Sequence, residues 1–480
     1  MSAAVEGLGR DSDWSRVRVL VAGFGVSGFA AADALTHLGA RVIAVDESEG
    51  DDARQERATL LRMLGAEVRL GAGATAELPQ DVDLVVTSPG WRPTAALLTA
   101  AAERGTPVWG DVELAWRLRG AAPWLVVTGT NGKTTTVQML ERILLAAGLR
   151  ARAVGNVGTP VLEAVMDPQG YDVLAVELSS FQLHWTSSMS AEAAAVLNVA
   201  PDHYDWHGGA EAYAAAKGRA YERVQRACVY NAADPLTRRL VEQADVVEGA
   251  RAIGFTLGVP GLSELGVVDG VLADRAFVPN RAEQAAELAA VGDLYDDAPH
   301  VVANALAAAA LARAHGIAPA AVRDGLRDFR PAPHRVAEVA VIDGVRYVND
   351  SKATNAHAAA AALAASSNVV WIAGGLAKGA RFDDLVERTR DRLRAVVLIG
   401  ADRRLIADAL ARHAPEVPVE QVSSGEDDLM DRVVEVASSF AVEGDTVLLA
   451  PACASMDQFT DYAHRGESFA EAVRRLAGRA

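Results

Sequence analysis

The chain has 480 residues, half of them hydrophobic, and 46 basic side chains against 63 acidic ones give a net charge of −17. That length suits roughly three domains of ~150 residues, and an acidic balance with no basic block argues against a nucleic-acid groove. There is no apolar run fit to span a bilayer and no apolar core of a signal peptide in the first sixteen residues, while two distant cysteines, Cys228 and Cys453, suit a reduced cytoplasmic protein.

Residues 1–112 are expected to form the first domain. The run at 17–22 is predicted as a buried strand. GFGVSG follows, with Gly23, Gly25 and Gly28 in the G-x-G-x-x-G spacing, and the next strand, at 42–45, ends on Asp46. This is a Rossmann-type opening: a tight turn, close backbone approach to a diphosphate, and an acidic residue for a ribose or nearby hydroxyl. NAD is its default ligand; a glycine turn with no ligand is the alternative. A third strand at 84–87 ends in Ser88-Pro89-Gly90, placing a hydroxyl and amides where open α/β sheets bind ligands. A helical stretch at 110–119 leads onward.

Residues 113–331 form the expected central domain. WLVVTGTNGKTTTVQMLERILLAA, at 124–147, reads as a buried strand, a glycine turn and a helix. Gly129 and Gly132 allow the turn, Val137, Leu140, Ile143 and Leu144 have helical spacing, and Gly148 closes the helix. A helix N-terminus beside Lys133 and Thr134 suits a polyphosphate. Amides and helix dipole meet the charge, Lys133 reaches the outer phosphates, and the Thr134 hydroxyl can hold Mg²⁺. The common phosphate loop has glycine six positions before the lysine, where this chain has Val127; an ordinary glycine turn is the alternative.

GNVGTP at 155–160 has the glycines and amide of a binding loop. The strand at 173–176 is followed by Glu177, whose carboxylate can either reach a nucleotide-bound Mg²⁺ or stand in solvent. A strand predicted at 194–199 precedes Pro201-Asp202-His203, where His203 is a metal ligand or a satisfied loop histidine. A helix predicted at 213–224 carries Lys217, which its local sequence presents as a solvated surface lysine. Residues 245–295 carry little signal, and Asn304 is expected to begin a helix.

In residues 332–480 strand and helix alternate again, as in a third α/β domain. Strands are predicted at 345–348, 369–373, 396–399 and 447–450. Polar loops follow three of them: 349–355, 374–378 and 451–455. If the sheet is parallel, Lys352, Lys378 and Arg335 converge on one edge, which suits a small dicarboxylate or phosphates.

Together these stretches resemble the Mur ligase family over essentially the whole chain. TGTNGKTTT, GNVG, ELSSFQL, NVAPDHYDWHG, AAKGRAY, HRVAEV, NDSKATN, GGLAKGARF and PACASMDQF occur in the family's order. The last four resemble the branch that adds D-glutamate during peptidoglycan synthesis. The resemblance implies an α/β protein of three domains: N-terminal Rossmann-like, central with a P-loop ATPase-like parallel sheet, and C-terminal Rossmann-like. It also implies a cytoplasmic ATP-dependent amide ligase with UDP-N-acetylmuramoyl-L-alanine and D-glutamate as substrates.

On this resemblance the first domain holds UDP rather than NAD, with Ser27, Asp46, Ser88 and Gly90 as its contacts and Asn156 and Gln182 on the muramoyl-diphosphate side. Gly129, Thr130, Asn131, Gly132, Lys133, Thr134 and Thr135 would cradle ATP, while Asn304, Arg335 and Asp350 line its adenosine and phosphate side. Thr134, Glu177 and His203 would serve two Mg²⁺ ions, joined by a CO₂-derived carbamate on Lys217; Lys133, His203 and Lys217 are the implied catalytic set. Lys352, Thr354, Lys378, Ser455 and Tyr462 match D-glutamate positions. Two residues depart from the family pattern: Val301 stands where asparagine is frequent, and Tyr462 where phenylalanine is familiar. The competing readings are a folylpolyglutamate synthetase, a nucleotide-gated protein without catalysis, and an NAD dehydrogenase. The UDP-type first domain and the NDSKATN loop argue against the first, and the intact Lys133, Glu177, His203 and Lys217 set against the second.

Overall fold

Strands with helices on both faces need apolar side chains on both, so parallel sheets are written as short unbroken hydrophobic runs. The computed structural model describes residues 3–331, 337–423 and 428–478, which leaves His334 and Arg335 outside the described residues. Two compact units form: Met1–Val199 with Glu211–Phe329, and Ala200–Ala210 with Arg330–Ala480.

The first unit contains two sheets among its described residues. One is wholly parallel, in the spatial order Glu67–Leu70, Arg41–Asp46, Arg18–Ala22, Leu84–Thr87, Val108–Gly110. Its glycine turn follows the central strand. A Cβ on Gly28 would lie 1.9 Å from the Gly23 carbonyl oxygen, so the helix Val26–His37 can start there only without a side chain.

The other sheet has the order Ala286–Ala290, Val271–Asp274, Glu264–Val268, Arg251–Phe255, Ala227–Asn231, Ala193–Val196, Trp124–Thr128, Val173–Glu177, Ala151–Gly155. Its last seven members are parallel and the first two are antiparallel additions. The strand before the phosphate loop therefore lies between two parallel neighbours, with its carboxyl end flanked by theirs.

The second unit has a sheet ordered Ala337–Ile342, Val345–Asn349, Thr446–Leu449, Val369–Gly374, Leu393–Ile399, Val419–Gln421, parallel except for its first pair. Among the described residues no helix is long and apolar enough to cross a membrane.

Three sequence expectations need correction. The strand predicted at 194–199 stops at Val196, because the chain turns to serve the phosphate loop through Asn198. The helix predicted at 213–224 runs over Ala210–Gly218 and tightens into a 3₁₀ turn at Arg219–Tyr221; Arg223, at φ 56°, cannot continue it. Asn304 does not begin its helix, which starts at Pro299, where the fixed φ of proline suits the first helical position. The weakly patterned 245–295 region supplies four strands. Its signal was the Asp269-Gly270 pair, both at positive φ, which makes the two-residue turn between Val268 and Val271.

The helix Pro299–His315 is buried along most of its length, and its alanines let it sit closely on the sheet and on the helix Lys133–Ala146. Ala308, fully buried, lies one turn beyond Asn304 on the same face. Ala308→Leu is expected to cost about 1–3 kcal/mol of stability by overpacking, measured by urea unfolding; an unchanged midpoint would show that the helix has room to move.

Candidate active site

The phosphate loop is built from both sides. Gly132 adopts φ +84°, and a Cβ there would meet the Asn304 side-chain oxygen at 2.3 Å, so glycine at the loop and asparagine on the alanine-rich helix occupy complementary space. Asn198 holds the loop's other face: its Oδ1 accepts from the Asn131 amide at 2.9 Å, its Nδ2 donates to the Asn131 carbonyl at 3.1 Å, and its own carbonyl accepts from the Thr130 amide. The Thr130 hydroxyl meets the Tyr213 hydroxyl at 2.9 Å.

Two lysines converge here. Lys133 Nζ donates to the carbonyls of Gly129 and Thr130, both at 2.9 Å. Lys217 Nζ donates to the same Gly129 carbonyl at 2.8 Å and lies 4.6 Å from the centre of the Tyr213 ring. Lys217 is only 2% exposed, so its bland local sequence misleads: the surface-lysine reading fails because its helix turns that face to the loop.

Glu177, at the end of the neighbouring strand, is paired across the sheet with Val127. It is buried; Oε1 accepts from Asn156 Nδ2 at 3.0 Å, while Oε2 is buried with no hydrogen-bond partner among the described residues. An orphaned carboxylate oxygen fits a cation, although no group of three or more His, Cys, Asp or Glu able to hold a metal occurs among the described residues. Oxygens from a hydroxyl such as Thr134, from phosphate or from water would have to complete a Mg²⁺ shell. His203 belongs to the other unit, at φ 53°, with Nε2 3.5 Å from Asp202 Oδ2.

At the first sheet, Asp46 is occupied structurally. It accepts from the Phe24 amide at 2.7 Å and the Ser48 amide at 2.9 Å and pairs with Arg54 at 3.4 Å, so it fixes the glycine turn. Ser88 donates to the Gly23 carbonyl at 3.3 Å, and Gly90 follows in the same loop. Ser27 and Gln182 are joined by a residue that the sequence reading passed over. Gln182 Nε2 donates to Asp111 Oδ2 at 3.2 Å, and the Ser27 hydroxyl also supports that carboxylate. The Gln182 oxygen accepts from the Ser179 amide and hydroxyl in a capping box, which orients the amide.

In the second unit the three polar loops are stitched by backbone. Ala452 N donates to the Ala353 carbonyl, Gly374 N to the Pro451 carbonyl, and Leu376 and Ala454 exchange both bonds. Lys352 Nζ lies 5.1 Å from the centre of the Tyr462 ring, and Lys378 Nζ is 3.6 Å from Asp202 Oδ1. Asp350 and Ser455 are buried, and the Thr354 amide donates to the Lys352 carbonyl. Lys352, Thr354, Lys378 and Ser455 thus come from loops at the carboxyl ends of parallel strands. Arg335 lies outside the described residues. Val301 is buried in the apolar core.

Comparison with known proteins bears on this geometry. Residues 127–312 match the family model described as the Mur ligase middle domain, and residues 334–453 match the one described as the Mur ligase, glutamate ligase domain. The chain is 62% identical over 467 residues to a UDP-N-acetylmuramoylalanine--D-glutamate ligase of Streptomyces avermitilis, covering 97% of this chain and 99% of that one. It is 59% identical to the protein of the same name from Thermobifida fusca, covering 96% and 99%.

The chain belongs to the Mur ligase family.

Its fold is also similar to a pseudomurein peptide ligase type C from Methanothermus fervidus, with TM-score 0.59 at 16% identity over 96% of this chain and 100% of that one. Two residues that brace these segments were missed in the sequence: Asn198 and Asp111. Asn198 sits in NVAPDH and Asp111 at the first turn of the helix Asp111–Leu118. Each acts on a segment far along the chain, so spacing carries no trace of it.

Asp111 has a thermodynamic signature. Burial pushes its carboxyl up from the ordinary 3.8 to about 6, against the opposing hydrogen bonds of Gln182 and Ser27. Because the folded state holds this proton more tightly than the unfolded one, stability falls as pH rises from about 4 to about 6; above that the charged group costs ~3 kcal/mol. Asp111→Asn should therefore be more stable than the parent at pH 7.5, with the difference closing below pH 4. Thermal melts across that range test this, and a difference independent of pH would refute it.

Proposed function

We propose that this chain joins D-glutamate to UDP-N-acetylmuramoyl-L-alanine with ATP cleaved to ADP and phosphate, in the cytoplasm, as a step of peptidoglycan precursor synthesis. The observation that carries this reading is the convergence of Lys133 and Lys217 on the Gly129 carbonyl, beside the strand that ends in Glu177. The names of the near full-length relatives support it. In this reading residues 1–112 take UDP, 113–331 take ATP and 332–480 take D-glutamate.

A carboxylate resists amine attack because its charge is delocalised, so it must first be activated. An oxygen of the L-alanyl carboxylate attacks the γ-phosphorus of ATP, the bond to the bridging oxygen breaks, and ADP leaves an acyl phosphate. The lone pair of the D-glutamate amine then attacks the acyl carbon. The tetrahedral adduct loses its amine proton and expels phosphate as the amide forms. Lys133 exchanges its loop carbonyls for the outer phosphates and offsets charge as the phosphoryl group moves. Thr134 and the amides of 129–135 cradle the phosphates. Two Mg²⁺ ions, with Thr134, Glu177, His203 and modified Lys217 as their protein ligands, would supply further charge neutralisation.

Lys217 has a second role to fill. Its helix delivers an amine to an acceptor already used by Lys133, and converting that amine to a carbamate reverses its charge. The neutral amine attacks CO₂, releasing a proton and forming a carbamate whose oxygens suit Mg²⁺. Asn156, Gln182, Ser27, Ser88 and Gly90 bind the UDP substrate, with Asp46 holding the glycine turn against it, Asn304, Arg335 and Asp350 bind ATP, and Lys352, Thr354, Lys378, Ser455 and Tyr462 orient D-glutamate.

Phosphate release with ATP, Mg²⁺ and UDP-N-acetylmuramoyl-L-alanine should depend on D-glutamate and be far slower with L-glutamate, whose amine is misaimed when both carboxylates are held. Equal rates with the two enantiomers would sink the assignment. Lys217→Ala should lose on the order of a hundredfold or more in rate while still binding the UDP substrate, and high acetate or formate should restore part of it. Full activity in that variant would rule out the carbamate.

A further inference from the structure

Arg465 lies in the helix Tyr462–Ala477, with only 1% of its surface exposed. Its guanidinium reaches two loops at once. Nε donates to Ser351 Oγ at 3.0 Å, Nη2 to the Ser351 carbonyl at 2.9 Å, and Nη1 and Nη2 to the Cys453 carbonyl, both at 3.2 Å. Ser351 immediately precedes Lys352, and Cys453 stands two residues before Ser455. The Ser351 hydroxyl passes the connection on to the Tyr462 carbonyl at 2.7 Å, and Asn349 Nδ2 returns it to the Gly466 carbonyl at 2.8 Å.

Every hydrogen-bond acceptor of this guanidinium is a neutral oxygen, and the Asp457 carboxylate, whose Oδ1 is buried without a hydrogen bond among the described residues, acts on it only through its field. A buried cation so placed is costly, and an apolar side chain of similar volume would fill the space more cheaply. Burial lowers the Arg465 pKa to about 10, which still leaves it charged at neutral pH. A planar fork can set two backbones at a fixed spacing, which a lysine cannot do. Its field in a low-dielectric interior also favours negative charge nearby.

We propose that Arg465 is a positioning residue for the dicarboxylate amino acid: its fork sets the spacing between the loops bearing Lys352 and Ser455, and its buried charge favours an anionic substrate between them. This rests on the ligase reading above. Arg465 itself stays behind the loops and acts through them.

Steady-state kinetics of the full chain, varying each of the three substrates in turn, test this. Arg465→Met should raise the KM for D-glutamate about tenfold or more, with the KM for ATP and for UDP-N-acetylmuramoyl-L-alanine held within about twofold. Arg465→Lys, which keeps the charge and loses the fork, should fall between parent and Met variant. An unchanged D-glutamate KM, or equal rises in all three constants, overturns the proposal. If Arg465→Met lacks a cooperative thermal transition, Ser351→Ala decides. It removes one acceptor and the link to Tyr462 without touching a charge, and should raise the D-glutamate KM about threefold while sparing the other two; no rise overturns the proposal. A wild-type chain that releases no phosphate in response to D-glutamate overturns the ligase reading and this proposal together.

Discussion

Two ammonium groups sharing one carbonyl oxygen set the terms for the glycine-rich loop at 129–135. Lys133 and Lys217 come from different helices, and both spend a hydrogen bond on Gly129. Two cations held at one oxygen repel one another. Negative charge arriving at the loop relieves this repulsion, as does loss of a proton from either amine. The loop is thus built to favour a polyanion, and the surrounding contacts keep its backbone ready. Asn198 clamps two consecutive residues from one side while the Asn304 side chain fills the space opposite Gly132. A loop held in this way has little conformational freedom left to lose when a ligand binds.

The polar loops of the second unit are joined to one another by backbone hydrogen bonds. Loops 349–355, 374–378 and 451–455 bond to one another through amides and carbonyls, so their side chains are carried on a shared frame. Lys378 and Ala452 take left-handed φ of 50° and 59°, conformations that non-glycine residues adopt at a cost. Surrounding hydrogen bonds must hold them there, and those of Leu376 and Ala454 lie within two residues.

Much of this was legible in the amino-acid order because parallel sheets leave continuous apolar runs. The strand at 84–87 was read to the residue, and the strand, glycine turn and helix at 124–147 appeared in sequence as they do in space. Legibility failed where tertiary demands override local pattern. Asn198 sits in what reads as a strand but leaves the ladder to brace a loop. The edge strands after residue 250 are short and partly exposed, so only the Asp269-Gly270 turn marked them. Lys217 could be recognised by motif and not by its alanine-rich surroundings, which suit a buried helix as well as an exposed one. Asp111 and Arg465 act on partners 71 and 114 residues away, and no local periodicity encodes such pairings.

The second unit is not one continuous piece of chain. It takes in Ala200–Ala210, drawn from the middle of the segment that otherwise builds the first unit, so the polypeptide passes between the two units at three places. Asp202, the ion-pair partner of Lys378, lies in that borrowed stretch. A fragment beginning at Arg330 would hold all six strands of the sheet yet leave Lys378 without the Asp202 counter-ion. Recombination that exchanged the C-terminal piece for that of a relative would pair an incoming lysine with a resident aspartate. Compatibility across such a junction is thus set by an eleven-residue insert far upstream of it.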